Sequence, residues 1–188
     1  QQAGLFRSTV GLIMWSMMTR IDIQYVAKEL ARRVQAPTAL CLGALRRLVK
    51  YLDATRDWCL ELKSDPEAVA TSLRVVTDAA WGSDPGRKST SGGVVRCRGM
   101  MICTWSRTQP TIALSSAESE LISLGHGVAE MLHVRSVLLE MGWDTHPCAF
   151  TDATAAIGAA HRLGKGRMKH LQIKELWLQQ KIDDGELE

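Results

Sequence analysis

"LRVVTDAAW" (residues 73–81) decides the fold. A run of Leu, Val and Thr is the composition of a buried strand. It ends on an acid, Asp78. "CAFTDATAA" (residues 148–156) does the same, and both stretches carry Thr-Asp-Ala. A carboxylate at the end of a core strand is poorly solvated and needs a partner, for which a metal ion is one candidate. If the two strands are parallel neighbours, Asp78 and Asp152 lie about 5 Å apart, one strand spacing.

What lies between the two strands fits that arrangement. "SDPGRKSTSGG" reads as a turn-rich loop, and "VVRCRG" and "MICTWS" read as short strands turning at Gly99. "SSAESELISLGHGVAEMLHVRSVLLEMG" reads as one long helix with Leu121, Leu124, Val128, Met131 and Leu138 on its apolar stripe and Gly142 at its end. A connection that long, containing a helix, is what a parallel crossover requires. The helix carries Glu118 and Glu120 in its first turn, so either can reach the two strand ends. Three converging carboxylates repel one another unless a divalent cation neutralises them or some stay protonated. Oxygen ligands without Cys or His favour magnesium or manganese, and two such ions about 4 Å apart can activate water and stabilise a leaving alkoxide in phosphodiester cleavage.

Residues 1–61 have a different texture. "LFRSTVGLIMWSMM" is an apolar helix candidate. In "DIQYVAKELARRV" the apolar positions Ile23, Val26, Leu30 and Val34 recur at three and four, Pro37 interrupts, and Thr38 caps a helix with Leu42, Leu45, Val49 and Leu52 on one side. Arg32, Arg33, Arg46 and Arg47 fall off these stripes, so they are expected on the surface. "LKSDPEAVATS" (62–72) reads as a linker and 73–188 as the sheet domain.

The bulk composition is that of an ordinary globular protein, 46% apolar and 23% charged. Five scattered cysteines form no CxxC pair, which argues against a structural zinc site or a disulfide framework and fits a reducing intracellular compartment. No signal peptide or membrane-spanning run is visible. The chain does not begin with Met and reads as a piece of something longer. Residues 1–63 carry a net +5 and residues 64–188 a net −2, yet "HRLGKGRMKHLQIK" holds Arg162, Lys165, Arg167, Lys169 and Lys174 with no acid. Such a basic loop is either a phosphate contact or a solvated surface segment.

"DAAWGSDPGRKSTSGGVV", "TWSRTQPTIALSSAESELISL", "FTDATAAI" and "RMKHLQIKELWLQ", in this order, resemble the ribonuclease H domain of copia-type retrotransposon Pol polyproteins. "LFRSTVGLIMWSMMTRIDIQYVAKEL" and "ALRRLVKYLDAT" resemble the tail of the reverse transcriptase that precedes it. The resemblance implies an α/β fold with a mixed sheet and flanking helices. It also implies metal-dependent cutting of the RNA strand of an RNA–DNA hybrid, inside a cytoplasmic particle or the nucleus and beside the reverse transcriptase of the same polyprotein. It assigns Asp78, Glu120 and Asp152 as the metal-holding catalytic acids. Glu118 falls three residues after Ser115, the spacing of a capping box. The acid order Asp, Glu, Asp fits ribonuclease H rather than an integrase, where Glu comes last. His170 with Arg162, Lys165, Arg167 and Lys169, and the hydroxyls of Ser89, Thr90 and Ser91, become candidate nucleic-acid contacts, although the hydroxyls also fit ordinary turn roles.

The chain departs from the family at Gln172, where an Asp is common; Glu175 lies one helical turn on. A fourth carboxylate is expected beyond residue 188, which would leave the domain incomplete at its C-terminus. The competing function is a catalytically inactive retroelement fragment with residual nucleic-acid binding; a third is an unrelated metal-dependent phosphatase. His126 and His133, seven apart on the long helix, read as surface residues rather than a ligand pair, and Trp81 and Trp105 as core or rim packing rather than base-stacking platforms.

Overall fold

The computed structural model describes residues 2–162 and 173–188. It divides into two compact units, Gln1–Glu61 and Leu62–Glu188.

The first unit is helical: α1 (Gln2–Ser16), a 3-10 turn (Ile21–Ile23), α2 (Gln24–Ala31) and α3 (Ala39–Ala54). Phe6, Val10 and Ile13 of α1 pack with Ile23, Ala27, Leu30, Leu45 and Leu48. Thr38 caps α3 by accepting from the Cys41 N–H at 3.3 Å, as its position predicts. Two apolar positions are out of phase with the expectation. Val26 and Val49 are exposed, and Ala27 and Leu48 take their places in the core. In the first case the buried positions Ile23, Ala27 and Leu30 step by four and then three, an ordinary helical face that leaves Val26 beside it and outward. Arg32, Arg33, Arg46 and Arg47 are exposed.

The second unit holds a four-stranded mixed sheet in the order β3-β2-β1-β4. Its strands are β1 (Ser72–Ala80), β2 (Thr90–Cys97), β3 (Met100–Thr108) and β4 (His146–Phe150). β1–β2 and β2–β3 are antiparallel, and β1–β4 is parallel. The helices are α4 (Ser116–Glu140), α5 (Thr154–Ala160) and α6 (Ile173–Asp183). α4 packs on β1, β2 and β4, and α5 and α6 pack against α4. This is a ribonuclease H-like mixed α/β arrangement.

The β2–β3 hairpin turns on Arg98 and Gly99, both with positive φ (52° and 78°), the geometry of a two-residue turn. Residues 62–72, expected as a linker, belong to this unit. Asp65 donates its N–H to the Arg98 carbonyl at 2.9 Å and lies so close beneath Gly99 that a β-carbon there would sit 2.5 Å from the Asp65 Cβ. β2 begins earlier than expected, at Thr90, so "TSGG" is strand rather than loop. The reason is Trp105. It pairs with Gly93 across β2–β3, and its ring occupies the space that a side chain at 93 would need, 2.1 Å from an ideal Cβ. Trp105 is accordingly core. Gly127 does the same for α4: a Cβ there would meet Thr77 Cγ2 at 2.3 Å, so this glycine sets how closely the helix lies on β1. The Ser123 hydroxyl fastens the same contact by donating to the Asp78 carbonyl at 2.9 Å.

Candidate metal centre

The register of the parallel pair places the two strand acids. Val76 lies opposite Phe150. Two residues further on lie Asp78, still in β1, and Asp152, just past the end of β4, so the parallel pair delivers both acids to the same end of the sheet. α4 brings the third acid. Ser115, its N-cap, accepts from the Glu118 N–H at 3.2 Å, and Glu118 Oε2 accepts from the Leu114 N–H at 2.8 Å. That reciprocal cap commits Glu118 to the helix end. Glu120, two residues on, faces the sheet with only 9% of its surface exposed, and its Oε1 accepts from the Ala79 N–H at 3.2 Å. One carboxylate oxygen from each of Asp78, Glu120 and Asp152 lies within 4.8 Å of the others.

Electrostatics follow from this placement. Burial pushes the Glu120 carboxyl above its ordinary range; the Ala79 N–H opposes the rise, while Asp78 and Asp152 add to it. No basic side chain contributes. Glu120 Oε2 is buried and has no hydrogen-bond partner. An orphaned buried oxygen, two further carboxylates within 4.8 Å and an all-oxygen donor set fit a hard divalent cation. It is the group of three or more potential ligands found among the described residues. His126 is half-buried and His133 exposed on α4, and neither joins it.

A further residue, absent from the sequence reading, supports the helix end. Gln109 is buried after β3 and donates through Nε2 to Ser91 Oγ at 2.9 Å and to the Ser119 carbonyl at 2.8 Å. It ties the sheet to the residue just before Glu120. A lone Gln in "RTQPT" carries no signal of its own; only the pairing of Ser91 with Arg107 and the start of α4 put the three groups together.

The expected nucleic-acid contacts fare differently. Ser89, Thr90 and Ser91 are buried. Ser89 Oγ accepts from the Gly82 N–H at 3.1 Å, Thr90 Oγ1 lies 3.5 Å from Ser83 Oγ, and Ser91 Oγ is held by Gln109. Their hydroxyls close the loop and the hairpin end, the turn role rather than a surface contact. Arg162 is exposed beyond α5. Lys165, Arg167, Lys169, His170 and Gln172 lie outside the described residues, as do the side chains of Lys174 and Glu175. No helix among the described residues is long and apolar enough to cross a membrane.

No family model matches the chain. It is 28% identical over 186 residues to the retrovirus-related Pol polyprotein from transposon RE1 of Arabidopsis thaliana, a match covering 97% of this chain and 12% of that protein. It is 29% identical over 187 residues to the retrovirus-related Pol polyprotein from transposon TNT 1-94 of Nicotiana tabacum, covering 97% of this chain and 14% of the relative. It is also 33% identical over 127 residues to secreted RxLR effector protein 161 of Plasmopara viticola, covering 66% of this chain and 87% of that protein. The chain thus spans only 12% to 14% of the length of these Pol polyproteins. The chain belongs to one family with these relatives: it is a homologue of a segment of retrovirus-related transposon Pol polyproteins.

Proposed function

We propose that Leu62–Glu188 is a ribonuclease H-type endonuclease unit, cutting the RNA strand of an RNA–DNA hybrid with magnesium or manganese, and that Gln1–Glu61 is the tail of the reverse transcriptase portion of the same polyprotein. The observation that carries the reading is the convergence of Asp78, Glu120 and Asp152 within 4.8 Å, contributed in the order β1, α4 and the end of β4. The match to Pol polyproteins over 97% of the chain supports the assignment of the helical unit. Divalent cations, when bound, would supply an activated water and charge stabilisation for the leaving oxygen.

The protein's own share is positioning. Asp78 and Asp152 are exposed, so they can reach both the ions and a substrate phosphate. Glu120 is buried and held by the Ala79 N–H, which fixes the rear of the site. Ser123 and Gln109 hold α4 at the depth this requires. Arg33, Arg46 and Arg47 of the helical unit and Arg162 are exposed and can contact phosphates, and binding through them weakens as salt rises.

The test is a hybrid labelled on each strand in turn, incubated with the chain and magnesium or manganese. The expected result is cutting of the RNA strand alone. Asp78→Asn should lower it by on the order of a hundredfold or more, since even outer-sphere partners of a metal site are worth about 10- to 100-fold. Hybrid binding without any cutting, unchanged by Asp78→Asn, would favour the inactive-fragment reading.

A further inference from the structure

β1 ends at Ala80, and the next residue, Trp81, is 53% exposed. An exposed indole this close to a cluster of acids is unusual packing, and it is not loose. Trp81 Nε1 donates to the Ala113 carbonyl at 3.0 Å, which fixes the ring on the segment leading into α4. The indole, Ile112, Leu114 and Arg87 line an open notch of about 410 Å³. Ile112 and Leu114 are also exposed, so the notch has apolar walls open to water. Arg87 stands at its rim with a φ of 60°, held in a tight turn by its N–H to the Asp84 carbonyl at 2.7 Å. The side chain of Arg87 has no ion-pair partner among the described residues. The loop 84–88 carries Asp84 against Arg87 and Lys88, a net positive charge.

These features match one chemistry. A fixed aromatic face whose only polar atom is already bonded to the protein offers stacking without hydrogen-bond readout, which every base or sugar face can use. A guanidinium at the rim suits a phosphate. Trp81 lies three residues along the chain from Asp78, about 10 Å at 3.3 Å per residue, which is about three base steps at 3.4 Å each. We infer that the Trp81–Arg87 notch is a nucleotide-seating subsite, where a sugar or base of the bound strand lies on the indole and its phosphate meets Arg87. The choice of occupant rests on the hybrid-cutting reading of the neighbouring acids. The subsite would hold the strand in register with those acids, whatever its sequence.

The experiment measures binding of an RNA–DNA hybrid with a fluorescein at one end, in chelator, where no metal-dependent cutting can run. Fluorescence anisotropy reads the Kd. Replacing a stacking aromatic by Ala typically weakens single-strand binding by 1–3 kcal/mol, so Trp81→Ala should raise Kd by about five- to a hundredfold. Trp81→Phe keeps the ring but loses the Ala113 bond, and should stay within about threefold of wild type. Arg87→Gln should weaken binding and lower the salt slope by about one phosphate contact. Wild-type Kd for Trp81→Ala overturns the proposal. So does equal loss in Trp81→Phe and Trp81→Ala, which would mark the indole as a structural strut. A change in self-association in place of hybrid affinity would mark the notch as an interface between copies and also overturn it. Because the readout needs no cutting, Trp81-dependent binding by a chain that never cuts with metal would sink the nuclease reading and leave the subsite standing.

Discussion

Asp22 in the helical unit and Glu120 in the sheet unit are both carboxylates drawn into a network, and they are treated in opposite ways. Arg20 grips Asp22 through two bonds of 3.0 and 2.8 Å, and the Tyr51 hydroxyl donates to it at 2.8 Å. The Arg20 guanidinium holds the Asp22 carboxyl below its ordinary range. The same guanidinium donates to the Thr55 hydroxyl at 2.7 Å and so links the start of the 3-10 turn to the end of α3. Glu120 has one backbone N–H, two neighbouring acids and an orphaned oxygen, and its carboxyl is pushed up. A carboxylate supplied with a protein cation is a fastening. Carboxylates that face one another with no protein cation beside them can accept one from outside, and that contrast is the physical basis of the metal-site reading.

The largest expected effect tests how the sheet unit holds Glu120 in place. Gly127→Ala drives a methyl into Thr77, and overpacking of this kind costs about 1–3 kcal/mol. Thermal or urea unfolding should show that loss together with weaker metal binding, because α4 must lift off β1. A variant that stays fully stable would mean that the glycine does not set the depth of the helix. Ser115→Ala comes next, at about 1 kcal/mol for a lost N-cap. Unfolding midpoints should fall while metal affinity is unchanged, because the Glu118 carboxylate keeps the Leu114 N–H as its partner. Metal affinity restored or raised through Glu118 would blur the division of labour between the two glutamates.

That division shows how far the sequence could be read. Ser-x-x-Glu at 115–118 is a local pattern, and it identified Glu118 as the cap before any three-dimensional information. Asp78 and Asp152 were legible because a run of β-branched residues ending on an acid has few explanations. Val26 was misplaced because the buried face of α2 runs through Ala27, a small residue that a count of large apolar positions passes over, and Val49 because its neighbour Leu48 takes the core position. Ser89, Thr90 and Ser91 have turn composition, and only the partners Gly82, Ser83 and Gln109 reveal that they point inward. Gly92 and Gly93 looked like loop because the ring that needs the space at 93 comes from Trp105, twelve residues later.

The smallest effects carry opposite signs, which makes them the sharpest probe of the contrast. Asp22 has a lowered carboxyl pKa, so its contribution is present above the unfolded value of about 3.9 and lost as pH falls through the folded one. Asp22→Asn should therefore cost stability at neutral pH, by at most about 1 kcal/mol for a solvent-screened pair, and little in acid. Glu120 has a raised pKa. In chelator its contribution is present below the unfolded value of about 4.3 and lost as pH rises through the folded one. Glu120→Gln should then raise the neutral-pH melting temperature of the metal-free chain and flatten its pH dependence. Melting scans from acid to neutral pH for both variants decide it. Two variants moving in the same direction would remove the distinction.

The central claim is that Asp78, Glu120 and Asp152, and not Glu118, hold a divalent cation. Titration calorimetry with manganese tests it on the wild-type chain and on Asp78→Asn, Glu120→Gln and Glu118→Gln. Saturable binding should fall by at least about tenfold in the first two variants, the lower end for disturbing a metal site, and stay at the wild-type level in Glu118→Gln. Equal affinity in all four proteins, or a loss confined to Glu118→Gln, would contradict the account.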